Sequence, residues 1–367
     1  MIDIEQIERF KSNYDLIVLA PKIETEDPNI AYYYDFQQSI QEYTSVFNQF
    51  DISWQWIELS LNNFKERIQA LENDKSKTNI YLNLCDGDEV NGAPGISVIR
   101  YLDELNLIYT GADEKFYHNT TSKKTMKQLF DAMSVDSPKW MDVERNSPEQ
   151  VIQYLHTPLI LKPAVSGGSM GLTAKNVIHS LEEYQSIVNE INEGYRNWKL
   201  NVDGIIAEQY ISGPEYTTLV IGSSHRPDEI YCYEPVERVF HKSLDSNEKF
   251  LSFDRLWETY ETEAAMPDQG FFFEYHSIQD VQLNKKLKEI SIDCFIKCEG
   301  QSYSRIDIRH DLQSNQLYIL EANAQCGLSE DENYTSIGAI LRVSKKSFAE
   351  LILLIIFEAL KHKPNYS

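Results

Sequence analysis

The chain has 367 residues, enough for two or three domains with a buried core, and its 42% apolar and 25% charged content is that of a soluble globular protein. A net charge of −23 argues against general nucleic-acid binding, which needs a basic surface to displace counterions, although a single pocket can still be locally basic. No stretch approaches the roughly 18 apolar residues of a membrane span, and the N-terminus MIDIEQIERFKSNYD has no signal-peptide core, so a cytoplasmic protein is expected. The cysteines at 85, 232, 294, 298 and 326 form no CxxC pair and no Cys/His array, which leaves reduced, buried thiols as the expectation and argues against structural zinc.

From the N-terminus to about residue 115, strand-like and helix-like segments alternate. Leu16 to Ala20 reads as a buried strand, Ala31 to Phe50 as a helix, Ile52 to Leu59 as a second strand and Phe64 to Leu71 as a helix. Ile80 to Leu84 is a further strand, followed by the loop CDGDEVNGAPG, a helix around Ile96 to Leu105 and a last strand at Leu107 to Tyr109. This βαβ alternation predicts an α/β domain with a parallel sheet, and the loop from Asp86 to Gly95, at a strand's carboxyl end, is a candidate substrate edge. A second part, 116–203, opens on the helix TTSKKTMKQLFDAM, capped by Thr121 or Ser122. Strand-like runs follow at Val135 to Val143 and Leu159 to Lys162, then a glycine-rich loop, then a strand from Leu172 to Val177. A third part, 204–367, holds strands at Gly204 to Glu208 and Glu215 to Ile221 and a poorly patterned stretch from about 222 to 276. It continues with a helix from about Val281 to Cys298, strands at Tyr303 to Arg309 and Leu317 to Glu321, and an apolar terminal helix within SFAELILLIIFEAL.

Three stretches can carry chemistry. LILKPAVSGGSMG is neither GxxxxGK[ST] nor GxGxxG. It is either a phosphate loop, with Gly168 and Ser169 offering backbone and hydroxyl donors and Lys162 a fixed charge, or an ordinary hairpin. SRIDIRHDLQSNQLYILEANAQCG puts Arg305 and Asp307 on one face of a strand, with Glu321 and Asn323 sharing a face of its neighbour. Two carboxylates and an amide oxygen form an all-oxygen set suited to magnesium, and Arg305 beside them suits a phosphate or an oxyanion. A surface salt-bridge cluster is the alternative. In IIAEQYISGPEYTTLVIG, an apolar strand delivers Glu208 to the linker Gln209, Tyr210 and Ile211, and the next strand carries Glu215. Such a linker suits a flat base read by backbone groups, with a carboxylate accepting from ribose hydroxyls. Solvated acids at strand ends are the plainer reading.

In this order and spacing, from about Asn79 to the C-terminus, these pieces resemble the ATP-grasp superfamily and within it the D-alanine–D-alanine ligase branch. The resemblance implies an ATP-grasp fold, an N-terminal α/β domain and two lobes clasping ATP. It also implies an ADP-forming ligase that activates a carboxylate as an acyl phosphate and joins it to an amine. Lys162 and Lys123 would be the nucleotide lysines, Lys124 being the alternative to Lys123, and Ser166 to Gly171 the loop over the phosphates. Glu208, Gln209, Tyr210 and Ile211 would read adenine and Glu215 the ribose. Asp307, Glu321 and Asn323 would hold two magnesium ions, with manganese as a substitute, and Arg305 would stabilise the oxyanion. A lysine that the family carries on a loop over the site falls here near Arg255 or Leu256, and Arg255 would take its catalytic place. The expected partners are a small carboxylate and an amine, amino acids foremost, with a homodimer implied by the resemblance only.

The departures concern the substrates. The family's Gly-Gly-x-Ser-x-Glu region reads APKIETEDPNIAYYY, its His-Gly reads Asp86-Gly87, and LSEDENYTS follows Gly327. The leading expectation is therefore a ligase making a dipeptide or a small natural product. A true D-alanine–D-alanine ligase, a phosphotransferase and a non-catalytic ATP-binding regulatory protein are the alternatives.

Overall fold

The computed structural model describes residues 4–258, 260–261, 263–266, 270–333 and 335–361, which form three sheets. In the first, β1 (Tyr14–Pro21), β2 (Trp54–Leu59), β3 (Thr78–Asn83) and β4 (Ile108–Tyr109) run parallel in the order β2-β1-β3-β4. Each crossover carries a helix, as the alternation of apolar runs requires. The expected helix from Ala31 to Phe50 is two, Pro28–Tyr33 and Gln37–Gln49. Asp35 intervenes, and its side chain accepts from the Gln37 N–H at 2.9 Å, which starts the second helix afresh.

The second sheet, antiparallel, has β5 (Trp140–Asp142), β6 (Leu159–Pro163), β7 (Val177–Ile178) and β8 (Ile205–Gln209) in the order β5-β8-β6-β7. β8 pairs Ala207 with Leu161, so the crossing to the third sheet comes after Gln209 rather than at the expected 203/204 boundary. The expected strand from Leu172 to Val177 shrinks to β7. Asn176 accepts from the Thr173 N–H at 2.8 Å and donates to the carbonyls of Leu161 (2.9 Å) and Gly171 (3.2 Å), so a side chain supplies the bonds a ladder would have made. The helices Pro148–Leu155 and Leu181–Glu193 cover this sheet. Neither was anticipated, although Ser147 with Gln150 and Ser180 with Glu183 have helix-start spacing.

The third sheet is antiparallel and follows β12-β11-β9-β13-β14, with β10 on the far end of β9. Its strands are β9 (Glu215–Ser223), β10 (Tyr231–Cys232), β11 (Val236–Phe240), β12 (Phe273–Ser277), β13 (Gln301–Asp311) and β14 (Gln316–Ala324). Three of them lie in the stretch 222–276 that sequence periodicity left unpatterned. The linker from β8 to β9 is pinned to β13: His310 N–H donates to the Pro214 carbonyl at 3.0 Å, and a Cβ on Gly213 would stand 1.7 Å from the His310 oxygen. Only glycine fits there.

The helix Phe348–Leu360 is apolar on every side because it is enclosed between sheets. Leu351, Leu353 and Ile356 share a core with Val18 and Leu82 of the first sheet and with Leu219 and Val236 of the third. The buried acid of this helix, Glu358, is ion-paired to Arg226 and to Lys361. Among the described residues no helix is long and apolar enough to cross a membrane. Leu353→Ala removes a fully buried side chain from this shared core and is expected to cost about 2–5 kcal/mol in urea unfolding.

Candidate functional site

One cavity of about 440 Å³ opens where the three sheets meet. It is lined by the residues expected to bind nucleotide or metal, Gly171 and Lys124 excepted, and by Arg305, but not by Arg255. Its parts follow from local structure.

On one wall, β6 and β8 bring Lys162 and Glu208 to the same face, and the helix Lys123–Met133 adds Lys127. Both lysines ion-pair with Glu208, itself only 1% exposed. Burial pushes the Glu208 carboxyl up, but the two ammonium groups overcome it and hold it below its ordinary range. Burial pushes the Lys127 ammonium down against the opposing pull of Glu208. Lys127 was not anticipated; in KKTMKQLF it falls one turn after Lys123 and Lys124, on the buried side beside Met126.

Lys123, at the start of that helix, reaches Ser166 Oγ at 3.3 Å and Glu321 Oε2 at 3.5 Å, joining the glycine loop to β14. Lys124 turns away to Asp142 (3.2 Å) and Glu144 (3.3 Å), so of the two alternatives Lys123 faces the cavity. The loop itself is folded on its own backbone. Met170 N–H donates to the Gly167 carbonyl and Leu172 N–H to that of Ser169, while the Trp257 indole donates to the Gly168 carbonyl at 2.9 Å. Trp257, which sequence reasoning passed over, ties the loop to the third lobe.

Across the cavity, β13 and β14 pair Arg305 with Asn323 and Asp307 with Glu321, putting all four side chains on one face as their spacing requires. Arg305 Nη2 and Asn323 Nδ2 each donate to Asp307 Oδ2 at 3.0 Å. Burial pushes the Glu321 carboxyl up, but Lys123, Lys162 and Arg305 together pull it down to about 2. Among the described residues no three His, Cys, Asp or Glu side chains assemble into a metal-ligand group. The set is two carboxylates plus an amide, whose oxygen is available if the Asn323 side chain turns over. Oxygen donors beside an open cavity fit a magnesium ion that keeps several waters.

The hinge is partly spent on the fold. Gln209 N–H donates to the Lys139 carbonyl at 2.8 Å, Tyr210 N–H to that of Pro158 at 3.3 Å, and the Ile211 carbonyl accepts from Arg309 at 3.0 Å. Beside it Ile160, Leu172, Tyr210 and Phe250 form an apolar slot. Glu215 is held more tightly than expected. Its Oε1 accepts from Arg238, and its Oε2 accepts twice from Arg309, at 2.9 and 2.5 Å. Of the four acceptor positions of a carboxylate, one is left for a ligand. Both arginines were missed, yet Arg309 continues the alternation of Arg305 and Asp307, and Arg238 that of Val236 and Phe240.

Arg255 is a correction. It lies in the short helix Phe253–Leu256, where Nη2 donates to Glu248 at 2.9 Å and Nε lies 3.5 Å from Glu263, with the guanidinium 5.6 Å from the Phe272 ring centroid. A guanidinium caged by two acids and a ring holds its own segment together and does not reach the cavity.

Two outcomes follow. Arg255→Ala leaves Glu263 buried without its cation and is expected to lower unfolding stability by about 3 kcal/mol, while nucleotide affinity by calorimetry stays within twofold. Because the Glu321 carboxyl is depressed in the fold, its contribution to stability is full above the ordinary value of 4.5 and is lost as pH falls toward about 2. In metal-free buffer the stability difference between the parent chain and Glu321→Gln should therefore shrink over that interval.

Comparison with known proteins agrees with this geometry. Residues 128–356, more than half of the chain, match the family model described as D-ala D-ala ligase C-terminus. D-alanine–D-alanine ligases of Polynucleobacter asymbioticus and Wolbachia pipientis wMel are 21% and 25% identical, covering 71% of this chain and 69% and 72% of theirs. The fold is that of the Bacillus anthracis D-alanine–D-alanine ligase complexed with ATP (TM-score 0.66, 16% identity, 95% of this chain and 97% of that one). The VanG D-Ala:D-Ser ligase of Enterococcus faecalis is similar as well (TM-score 0.65, 14% identity, 95% and 99%). The chain thus belongs to the D-Ala-D-Ala ligase C-terminal family, and it is an ATP-grasp ligase of the ADP-forming, C–N bond-forming kind.

Proposed function

We propose that the chain joins an amino acid or a small carboxylic acid to an amine through an acyl phosphate, giving a dipeptide or a small amide product. The observation that carries this reading is the contact of Lys123 with both the glycine loop and Glu321, which brings phosphate-binding and metal-binding chemistry into one cavity. In this reading the lobes are an N-terminal α/β unit to about residue 115, a middle lobe extended to Gln209, and a C-terminal lobe beyond it.

The adenine of ATP occupies the slot formed by Ile160, Leu172, Tyr210 and Phe250, and the remaining Glu215 acceptor takes a ribose hydroxyl. The phosphates lie along Lys162 and Lys123, under backbone N–H groups of the loop 166–171. The substrate carboxylate attacks the γ-phosphorus, ADP leaves, and an acyl phosphate forms. The amine then adds to the acyl carbon, Arg305 faces the developing oxyanion, and collapse expels phosphate as the amine loses its proton. Asp307, Glu321 and Asn323 would hold magnesium, which would supply positive charge for the transferring phosphoryl group. No side chain is needed as nucleophile; the protein positions reactants and compensates charge.

A second reading, D-alanine–D-alanine ligase itself, is favoured by the names of the relatives. Phosphate release with ATP, magnesium and D-alanine, with the product identified by mass, decides between the two readings. D-Ala-D-Ala formation at a rate typical of enzymes, on the order of 1 s⁻¹ or faster, would establish the second. For either reading, phosphate release is expected only when carboxylate and amine are both present; release with one alone would overturn it. Arg305→Ala should lower amide formation by 100-fold or more, about 3 kcal/mol, with ATP affinity retained. A loss confined to ATP affinity would remove Arg305 from the oxyanion role.

A further inference from the structure

Most carboxylates of the cavity have partners. Glu208 is paired with lysines, Glu215 with arginines, Glu321 with Lys123, and Asp307 with Arg305. Asp86 is different. It follows β3 and Cys85, presents its carboxylate to the cavity, and has no cation within ion-pair distance among the described residues. Its side chain is exposed to the open cavity; the protein packed around it pushes its carboxyl up to about 6, against the pull of its own backbone N–H and with Asp88 adding repulsion. That is the behaviour of an acid short of a counter-charge.

A second, independent feature stands beside it. Gln325 is 3% exposed and lines the same cavity, and its Nε2 donates to the carbonyls of Asn83 (3.3 Å) and Cys85 (3.1 Å). Those two carbonyls fix the amide: turned over, it would set oxygen against oxygen. Its Oε1 is consequently held as an acceptor, buried, with no hydrogen-bond partner among the described residues. Cys85 directly precedes Asp86, so the carbonyl that fixes this amide is one residue from the unpaired carboxylate, and both side chains line the same cavity. The Tyr43 hydroxyl, also buried and lining the cavity, has no hydrogen-bond partner among the described residues, and Arg305 lines the same cavity.

An ordinary solvated acid would explain Asp86 but would leave Gln325 Oε1 without a protein donor. One carboxylate and one amide oxygen are too few for a metal ion of the oxygen-ligated kind. Charge and hydrogen-bond demand are met together by a group that is cationic and rich in N–H donors.

We propose that Asp86 and Gln325 form a cation subsite that selects an amine substrate carrying a second cationic group, an ammonium or guanidinium on a short chain, as in a diamine or a basic amino acid. Calling this ligand a substrate rests on the ligase reading above; the subsite itself rests on the geometry. The test uses the full chain saturated with ADP and magnesium and compares lysine with norleucine, its isostere without the side-chain ammonium, for each hand by calorimetry. Lysine of one hand is expected to bind at least tenfold more tightly than norleucine. Asp86→Asn should abolish that ratio and Asp86→Glu should keep part of it, with ADP affinity unchanged in both. Equal binding of lysine and norleucine, binding of neither, or a ratio that survives Asp86→Asn would overturn the subsite. Phosphate release over carboxylate–amine pairs, measured in parallel with ATP, separates the two ideas. Cation-selective binding without release from any pair overturns the ligase reading and supports the subsite. Release indifferent to the second cation overturns the subsite and supports the ligase.

Discussion

The cavity is organised around one buried carboxylate. Glu208 stands between Lys127 and Lys162, and the three groups come from a helix and from the paired strands β8 and β6. Two ammonium groups and one carboxylate leave a net positive charge in a region almost without water, and such charge is tolerable only when paired. The surplus borders the open cavity, and in the function proposed above the phosphates of a nucleotide would meet it.

The third sheet works by the same rule at two further places. Arg305 and Asn323 fix Asp307 from its own strand and the next, and Arg238 and Arg309 fix Glu215 from the two strands beside it. Charged groups restrained in this way need little reorganisation when a ligand arrives, which is what electrostatic catalysis requires. The hydrogen bonds also set limits. Glu215 keeps one acceptor position for a ligand, and the hinge N–H groups of Gln209 and Tyr210 already serve the fold. In the function proposed above, adenine recognition would therefore depend more on the apolar slot around Tyr210 and Phe250 than on a row of free backbone donors.

Arg255 and Arg305 illustrate why position along a motif is not enough. Both are arginines in the C-terminal part of the chain, and both were assigned catalytic roles. Arg305 alternates with Asp307 on a strand whose pairing partner carries Glu321 and Asn323, so its direction is dictated by the two-residue period of the ladder. Arg255 sits in a one-turn helix between irregular segments, where no period constrains direction, and Glu248 and Glu263 capture it locally.

The sequence by itself determined the elements whose periodicity is strict and the residues they carry: the parallel β1–β4 domain, Lys162 on β6, Glu208 at the end of β8, and the face shared by Arg305, Asp307, Glu321 and Asn323. Each follows from alternation along a strand or from an apolar run long enough to be buried. Only the tertiary structure decided the rest. It chose Lys123 over Lys124, brought Lys127 beneath Glu208, put Arg238 and Arg309 around Glu215, assigned β8 to the second sheet, and left Asp86 without a cation next to an amide fixed from 240 residues away. These outcomes depend on which distant side chains share a desolvated volume. Local pattern sets which way a residue points, but burial and pairing across the chain set what it meets.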